Sequence, residues 1–392
     1  MKVLVVTSAP LIQIQDKTYA YAPYVEEMKV WDKYASLSFA CVIWKEPRGL
    51  LVSEIPFNIE KVYPLQDFNI KSKRYLIKAV FNSFFNVFVL MKAMKQSDHI
   101  HLRCPGNIGL LGCFVQILFP NKPKTAKYAG NWDPKATQPW SYRLQKWLLS
   151  NTFLTKNMKV LVYGEWPNQS KNIVPFFTAS YSKKEIDNNY RHPEHVIPNL
   201  FRDPLCNAQI KNEPLHNNPI NFLFVGALTK GKQPLLSVAV IQKLKEKGHQ
   251  AQLNIYGEGP ERLALEQYIA ENDLGTAVIL HGNCDRETIK KAYQSAHFLL
   301  FISQSEGWPK AVAEAMFWGC LPITGKVSCI PYMLANGERG ALVNANADEI
   351  VTVVENYLQH PDKYDQQATK AMDWSRQFTM EKFEEEIGKI MS

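Results

Sequence analysis

The chain has 392 residues, room for two or three domains at about 150 residues each. It is 46% hydrophobic and 21% charged, which excludes a disordered chain, a collagen-like repeat and a small disulfide scaffold. The net charge of +8 is uneven: residues 1–205 hold 27 Lys and Arg against 15 Asp and Glu (+12), and the remainder holds 18 against 22 (−4). The basic half leaves nucleic acid, an anionic membrane, an acidic substrate or a merely solvated surface as readings, although no recognised nucleic-acid module is present.

In chain order, Val3–Val6 is too short for a signal-peptide core and is ended by Thr7 and Ser8; it reads as a first strand, so a cytoplasmic protein is expected. No run reaches the ~18 apolar residues of a membrane-crossing helix. Short β-branched runs follow at Phe39–Ile43, Ile100–Leu102, Thr125–Ala129, Val160–Tyr163 and His195–Ile197. After them come Phe222–Val225, Leu253–Tyr256, Val278–Leu280, Phe298–Ile302, Leu321–Thr324 and Ala341–Val343. Continuous apolar strands alternating with helices predict parallel sheets covered on both faces. The Pro- and Asn-rich segment 198–219 lacks any period and reads as a linker, so two α/β domains stand in tandem. Cysteines at 41, 104, 113, 206, 284, 320 and 329 are odd in number, form no C-x-x-C and sit mostly in apolar runs. They predict buried free thiols in a reducing compartment rather than disulfides or a zinc site.

Three stretches of the first half have two readings each. KSKRYLIKAVFNSFFNVFVLMKAMKQ (71–96) is flanked or interrupted by Lys71, Lys73, Arg74, Lys78, Lys92 and Lys95. It reads first as an amphipathic core helix with charged ends, and second as a basic aromatic helix lying on an anionic membrane, which would make the protein peripheral. His101 and Arg103 lie at the end of one strand and either face a cleft or are a structural histidine and a surface arginine. Tyr128, Asn131, Trp132 and Asp133 end another; an aromatic there stacks on a sugar ring or belongs to the core.

In the second half Gly226, Gly257, Gly259 and Gly282 each follow a strand, where open α/β sheets bind ligands and where turns need glycine anyway. Gly257 and Gly259 are no dinucleotide fingerprint, because Arg262 takes the third glycine position. The richest window is SQSEGWPKAVAEAMFWGCLPIT (303–324). A loop carries Glu306, Pro309 suits a helix start, and Gly319 suits a left-handed stop. Glu314 falls one turn into the helix on the face of Lys310. The amides of Lys310, Ala311 and Val312 at the helix N-terminus form a ready anion site. Carboxylates for sugar hydroxyls beside amides for phosphate suit a nucleotide-sugar; two solvated glutamates flanking a helix start is the plainer reading.

Glu306 to Glu314 resembles the E-x7-E motif of retaining glycosyltransferases with the GT-B fold, of the "glycosyl transferases group 1" type. The resemblance runs in order through VIPN (196–199), FVGALTKGKQPLL from 222, IYGEGPE, ILHGN and W-S-x-x-F-T (374–379). It implies two Rossmann-like, doubly wound parallel-sheet domains facing across a cleft. Residues 1–205 would hold the acceptor, 206–375 the nucleotide-sugar donor, and a helix at about 376–392 would cross back, capped by Thr379. Residue by residue, it gives Glu314 the ribose hydroxyls, Glu306 a hydroxyl of the transferred sugar and Lys232 the leaving diphosphate. The backbone of Gly307, Trp308, Pro309 and Lys310 would line the sugar pocket. Gly226 would allow close approach, and Asn283 and Cys284 would lie near the base. His101, Arg103, Asn131 and Trp132 are the acceptor-side candidates.

The activity implied is retaining hexosyl transfer from a UDP- or GDP-sugar to a saccharide or lipid-linked saccharide, as in surface polysaccharide or lipopolysaccharide synthesis. No cofactor is called for, and no metal, since no D-x-D triplet is present. An epimerase on the same fold and a non-catalytic nucleotide-sugar binder are the alternatives. The chain departs from the family pattern at Ala227, Gly231 and Gln233, at Gly130 or Asn131 where a His is common, and in TSAPLIQIQDKTYAYAP, where a glycine-rich loop is usual.

Overall fold

The computed structural model describes residues 1–67, 76–187 and 219–392. The expected strand His195–Ile197, VIPN at 196–199, the linker apart from Pro219, the 205/206 boundary, Cys206, and Lys71, Lys73 and Arg74 lie outside the described residues. The chain divides into two compact units, Met1–Phe177 with Phe383–Ser392, and Thr178–Lys382.

The first unit contains β1 (Lys2–Val6), β2 (Leu11–Ile14), β3 (Lys17–Tyr21), β4 (Ser36–Cys41), β5 (Ile43–Trp44), β6 (Val52–Glu54), β7 (Ile59–Pro64), β8 (His99–Cys104), β9 (Lys124–Tyr128), β10 (Met158–Tyr163) and β11 (Ile173–Phe176). Seven of them form one parallel sheet in the order β11-β10-β9-β8-β1-β4-β7. Burial on both faces explains the unbroken apolar runs: Leu4, Val6, Ile100, Leu102, Val160 and Val162 join one core with Leu90, Ala93 and Met94 of the helix Leu76–Gln96. Each Val, Leu, Ile or Met side chain among them contributes roughly 1.5–3 kcal/mol on burial.

A second, four-stranded sheet, β5-β2-β3-β6, fills the stretch after Val6. Sequence patterning does not anticipate it. Its hairpin turns on two residues, with Ile14 paired to Lys17 and Gln15 at φ 54°. A positive φ on Gln in place of Asn-Gly or Gly leaves no hairpin signature to read.

The second unit contains β12 (Ile220–Val225), β13 (Ala251–Tyr256), β14 (Val278–Gly282), β15 (Phe298–Phe301), β16 (Leu321–Gly325) and β17 (Ala341–Val343). All six correspond to expected runs. They form a parallel sheet in the order β14-β13-β12-β15-β16-β17. Phe222 pairs in register with Phe298, and the rings stack 5.5 Å apart. A one-residue slip would drive these rings to opposite faces, so the contact fixes the register. The strand order reverses between β12 and β15, and the carboxyl ends of these two strands border the position where such sheets bind ligands.

Beyond β12 and β13 the turns stay in backbone contact: Leu228 N–H donates to Glu258 O at 3.0 Å, and Glu261 N–H to Leu228 O at 3.0 Å. This approach, rather than phosphate binding, dictates the Gly-x-Gly. A Cβ on Gly257 would stand 2.0 Å from Gly226 O, and one on Gly259 would stand 2.4 Å from Leu228 O. A Cβ on Gly231 meets nothing within 4 Å. Gly259→Ala should therefore lower stability by about 1–3 kcal/mol, the range of overpacking, and Gly231→Ala should leave it nearly unchanged. Urea unfolding followed by tryptophan fluorescence checks this; equal midpoints for the two variants would show that the turns can separate freely.

Candidate active site

Lys232 closes the 3-10 turn Lys230–Lys232 that follows β12, and Gln233, in the left-handed region, turns the chain into the helix Pro234–Glu246. Glu306 stands on the loop after β15. Main chain joins the two loops: Gln304 N–H donates to Gly231 O at 2.8 Å. The Lys232 ammonium forms an ion pair with Glu306 Oε1 and lies over the Phe301 ring, 4.9 Å from its centroid. The Lys232 side chain keeps 26% of its exposure while Glu306 keeps 9%. An ammonium has three N–H donors, so pairing with Glu306 leaves donors for an anion. Lys230 is exposed.

The helix Lys310–Phe317 starts after Pro309 and ends at Gly319, φ 79°, as its sequence predicts. Gly319 N–H donates to Met316 O and Cys320 N–H to Ala315 O, at 3.2 and 2.9 Å, the paired bonds of a Schellman stop. Of the three amides expected at its start, Val312 is corrected: its N–H already donates to Pro309 O at 3.0 Å, closing the first turn. The N–H groups of Lys310 and Ala311 remain for an anion. The Trp308 ring is buried against Trp374 and Phe378, at 6.4 and 5.9 Å, so only its backbone can face a ligand. Ser375 Oγ donates to Ala313 O at 2.6 Å. The W-S-x-x-F-T segment thus braces this loop and helix, and Thr379 Oγ1 accepts from Lys382 N–H at 3.3 Å. Gly307 O accepts from Ser328 Oγ and Cys329 Sγ, both at 3.3 Å.

Glu314 is largely buried, 3.7 Å from Lys310 Nζ. Its Oε1 accepts from Ser180 Oγ at 2.6 Å, a partner that carried no sequence signal. The Ser180 segment is fastened within the unit: Arg286 donates to Ser180 O at 2.7 Å and pairs with Glu185 at 2.8 Å, and Lys290 reaches Glu185 at 3.3 Å. Burial alone would raise the Glu185 pKa, but the Ser182 N–H and Arg286 hold it below the ordinary carboxylate range. Beside Glu314, burial first and the Glu314 charge second push the Tyr181 and Tyr293 phenols above their usual range, so both stay protonated.

Gly226 has φ 154° and open space around its Cα, as close approach of a ligand requires. Asn283 and Cys284 are exposed at the carboxyl end of β14, the sheet's edge strand, and Asp285 beside them caps the helix Arg286–Ser295. Among the described residues no group of three or more His, Cys, Asp or Glu side chains could hold a metal ion.

Three of the acceptor-side candidates, His101, Trp132 and Arg103, need correction. His101 is fully buried, tilted on Trp31 at 4.2 Å, with Nδ1 2.8 Å from Thr125 Oγ1; burial drives its pKa well below the usual value. Trp132 is core: it meets the edge of Tyr128 at 4.9 Å, and its Nε1–H donates to Gln169 at 2.9 Å. Tyr128 is buried with it. Arg103 lies over the Tyr24 ring and pairs with Glu27 Oε1 at 2.6 Å, while Lys127 takes Oε2 at 3.0 Å. Burial would raise the Glu27 pKa, but Arg103 and Lys127 hold it at about 2; burial, partly offset by Glu27, brings Lys127 down to about 8. These groups form an internal charge cluster rather than a sugar site. Asn131 is half-buried, its Oδ1 accepting from Asp133 N–H at 2.8 Å in a local turn. No signal in the helix Ala22–Asp32 marked Glu27 as the partner of two cations.

Residues 207–374 match the family described as glycosyl transferases group 1. The amylovoran biosynthesis glycosyltransferase AmsK of Erwinia amylovora is 30% identical over 136 residues, 33% of this chain and 33% of its own length. The chain therefore spans a third of that curated relative. The Anabaena protein HepE, solved in complex with UDP and glucose, gives a TM-score of 0.63 at 13% identity over 99% of this chain and 98% of its own. Sucrose-phosphate synthase of Thermosynechococcus elongatus gives 0.61 at 16% identity over 100% and 98%. The match to the glycosyl transferases group 1 family thus covers residues 207–374 of the second unit, and the two Rossmann-like units share the GT-B fold of these structures.

Proposed function

We propose that the protein is a retaining glycosyltransferase that moves a hexose-type sugar from a UDP- or GDP-sugar to a saccharide or lipid-linked saccharide, without a metal ion. The carrying observation is the Lys232–Glu306 pair where the strand order of the second unit reverses, followed directly by the helix that bears Glu314. The family match over residues 207–374 and the likeness to the amylovoran biosynthesis glycosyltransferase support transfer into a surface glycan. HepE, bound to UDP and glucose, supports a uridine donor. The free thiols among the described residues, with Cys104 and Cys113 sulfurs in a 3.8 Å hydrogen bond rather than a disulfide, support a reducing, cytoplasmic setting.

In this reading the donor diphosphate meets Lys232 and the amides of Lys310 and Ala311. Its charge grows as the glycosidic bond breaks, and preorganised donors aimed at that charge stabilise the transition state more than the ground state. Glu306 orients Lys232 and accepts from a hydroxyl of the transferred sugar. Glu314, its direction fixed by Ser180, accepts from the ribose hydroxyls. The acceptor proton passes to the departing phosphate on the same face, so no separate protein base is required.

Three outcomes are expected. Lys232→Gln, which keeps a donor for the buried Glu306, should lower kcat about 10²–10³-fold with a smaller effect on KM, and Lys230→Gln should do little. Steady-state kinetics of both variants check this; a crippled Lys230 variant beside an active Lys232 variant would move the diphosphate contact. Glu314→Ala should weaken UDP or GDP binding by about 1.5–3 kcal/mol in calorimetry, the cost of a charged hydrogen bond. Unchanged affinity would remove Glu314 from the ribose. Incubated with UDP- and GDP-hexoses and a saccharide acceptor in excess EDTA, the protein should form a glycoside with the donor's anomeric configuration, read by NMR. Activity lost in EDTA and restored by Mg²⁺ or Mn²⁺ would overturn metal independence, and an inverted product would overturn retention.

A further inference from the structure

The helix Leu76–Gln96 turns its aromatic stripe outward. Phe81, Phe84, Phe85 and Phe88 are 76%, 66%, 47% and 56% exposed. Spaced i, i+3, i+4 and i+7, they share one face, and Lys92 and Lys95, both exposed, continue it. This orientation is fixed from the other side of the helix. Asn86 is fully buried, its Oδ1 accepting from Gln66 N–H and its Nδ2 donating to Gln66 O, both at 2.8 Å. Asn82, one turn earlier, donates to Asp67 O at 2.9 Å. Rotating the helix to bury the phenylalanines would pull Asn86 off both bonds and leave the Gln66 backbone unpaired, at about 1–3 kcal/mol per buried group.

The neighbouring helices extend the same character. Leu76–Gln96 packs beside Asn107–Val115, which packs beside Trp140–Ser150. Phe114 and Leu118 are exposed on and just after the second, and Trp140 and Trp147 on the third. Residues 76–96, 107–118 and 140–150 contain not one Asp or Glu, and Lys92, Lys95 and Arg143 are exposed on them, whereas Lys146 is turned to Trp132 O and Asp133 O at 2.9 and 3.0 Å. Exposed aromatics on a carboxylate-free basic face exceed what scattered surface hydrophobes produce.

We infer that this face of the first unit docks on an anionic lipid bilayer, its Phe and Trp side chains entering the head-group boundary and its Lys and Arg side chains meeting lipid phosphates. The charge decides the occupant. A second copy docked symmetrically would set lysines against lysines, whereas an anionic bilayer complements the whole face. No helix among the described residues is long and apolar enough to cross a membrane, so the contact is interfacial. The inference does not depend on the sugar-transfer reading, because its test needs no donor.

The test is flotation of the full chain with vesicles of phosphatidylcholine alone or with 30% phosphatidylglycerol, at low and 0.5 M salt. Binding should require phosphatidylglycerol and fall at least fivefold at high salt. F84S/F85S/F88S, all at exposed positions, should lower vesicle partitioning at least tenfold with an unchanged melting temperature and circular dichroism. K92E/K95E should lower it by a similar factor and flatten the salt dependence. Absence of binding to either vesicle, or binding indifferent to both variants, would overturn the inference. So would a wild-type dimer in sedimentation equilibrium that the phenylalanine variant dissociates, since the face would then be a self-interface. Tighter binding to single-stranded RNA than to the anionic vesicles would overturn it too.

Discussion

The candidate site of the second unit depends on one ion pair. Lys232 and Glu306 are 74 positions apart, and they meet because β12 and β15 are neighbours although their helices leave in opposite directions. Each needs the other. A carboxylate as buried as Glu306, left without its partner, would carry an uncompensated desolvation cost of about 3–5 kcal/mol. The partly exposed ammonium is held in place by Glu306 and the Phe301 face without being sealed off. The pair therefore fixes a positive charge where the strand order reverses and leaves part of its hydrogen-bonding capacity unused. A ligand anion arriving there meets a cation that is already positioned, so little of its binding energy goes into ordering a flexible lysine.

The surrounding residues hold the helix that completes the site. Lys310–Phe317 is short, and an isolated helix of this length would be marginal in water. It is fastened in three ways: by the Schellman stop at Gly319, by Ser375 reaching Ala313 O, and by the packing of Trp308 on Trp374 and Phe378. The Ser180–Glu314 bond adds a fourth fastening from a distant segment. The Trp308 ring is thus support for a loop whose backbone does the facing, and Gly307 O is similarly occupied by Ser328 and Cys329.

How much of this was legible follows from range. The buried parallel strands could be read because burial on both faces leaves a continuous apolar run, and every strand of the second unit appears where its run lies. The Glu306-to-Glu314 spacing could be read because a loop and a helix start are local. Ser180 could not, because its contact spans 134 positions and a lone serine carries no pattern. Sequence shows where a helix begins but not which carbonyl closes its first turn, so nothing in it ties the Val312 N–H to Pro309 O. His101 and Arg103 lie away from their expected surroundings for an electrostatic reason. Polar residues at strand ends suggest solvent, but His101 and Arg103 turn inward, where Thr125 meets one ring nitrogen of His101 and Glu27 pairs with Arg103. A charge is tolerated inside when it is paired, and the pairing partner lies on a different element.

The same constraint explains why the basic surplus of the first half has a direction. Arg103 and Lys127 belong to the interior cluster, and buried Lys124 donates to Phe119 O at 2.6 Å, so these cations contribute little to the outer field. Right-handed crossovers place the helices on the two sheet faces according to strand order. The step from β1 to β4 runs one way along the sheet, and the steps from β7 through β8 and β9 to β10 run the other. The helix Ala22–Asp32, with Glu26, Glu27 and Asp32, therefore covers one face, and the three helices without a carboxylate cover the other. Hydrophobic periodicity alone could not distinguish these outcomes for residues 76–96, because that helix is apolar on both sides. Its most polar buried residue, Asn86, sets the rotation: two hydrogen bonds to one backbone position outweigh the preference of any single phenylalanine for the interior. Topology thus segregates the charge, and an asparagine in the core decides which apolar face remains outside.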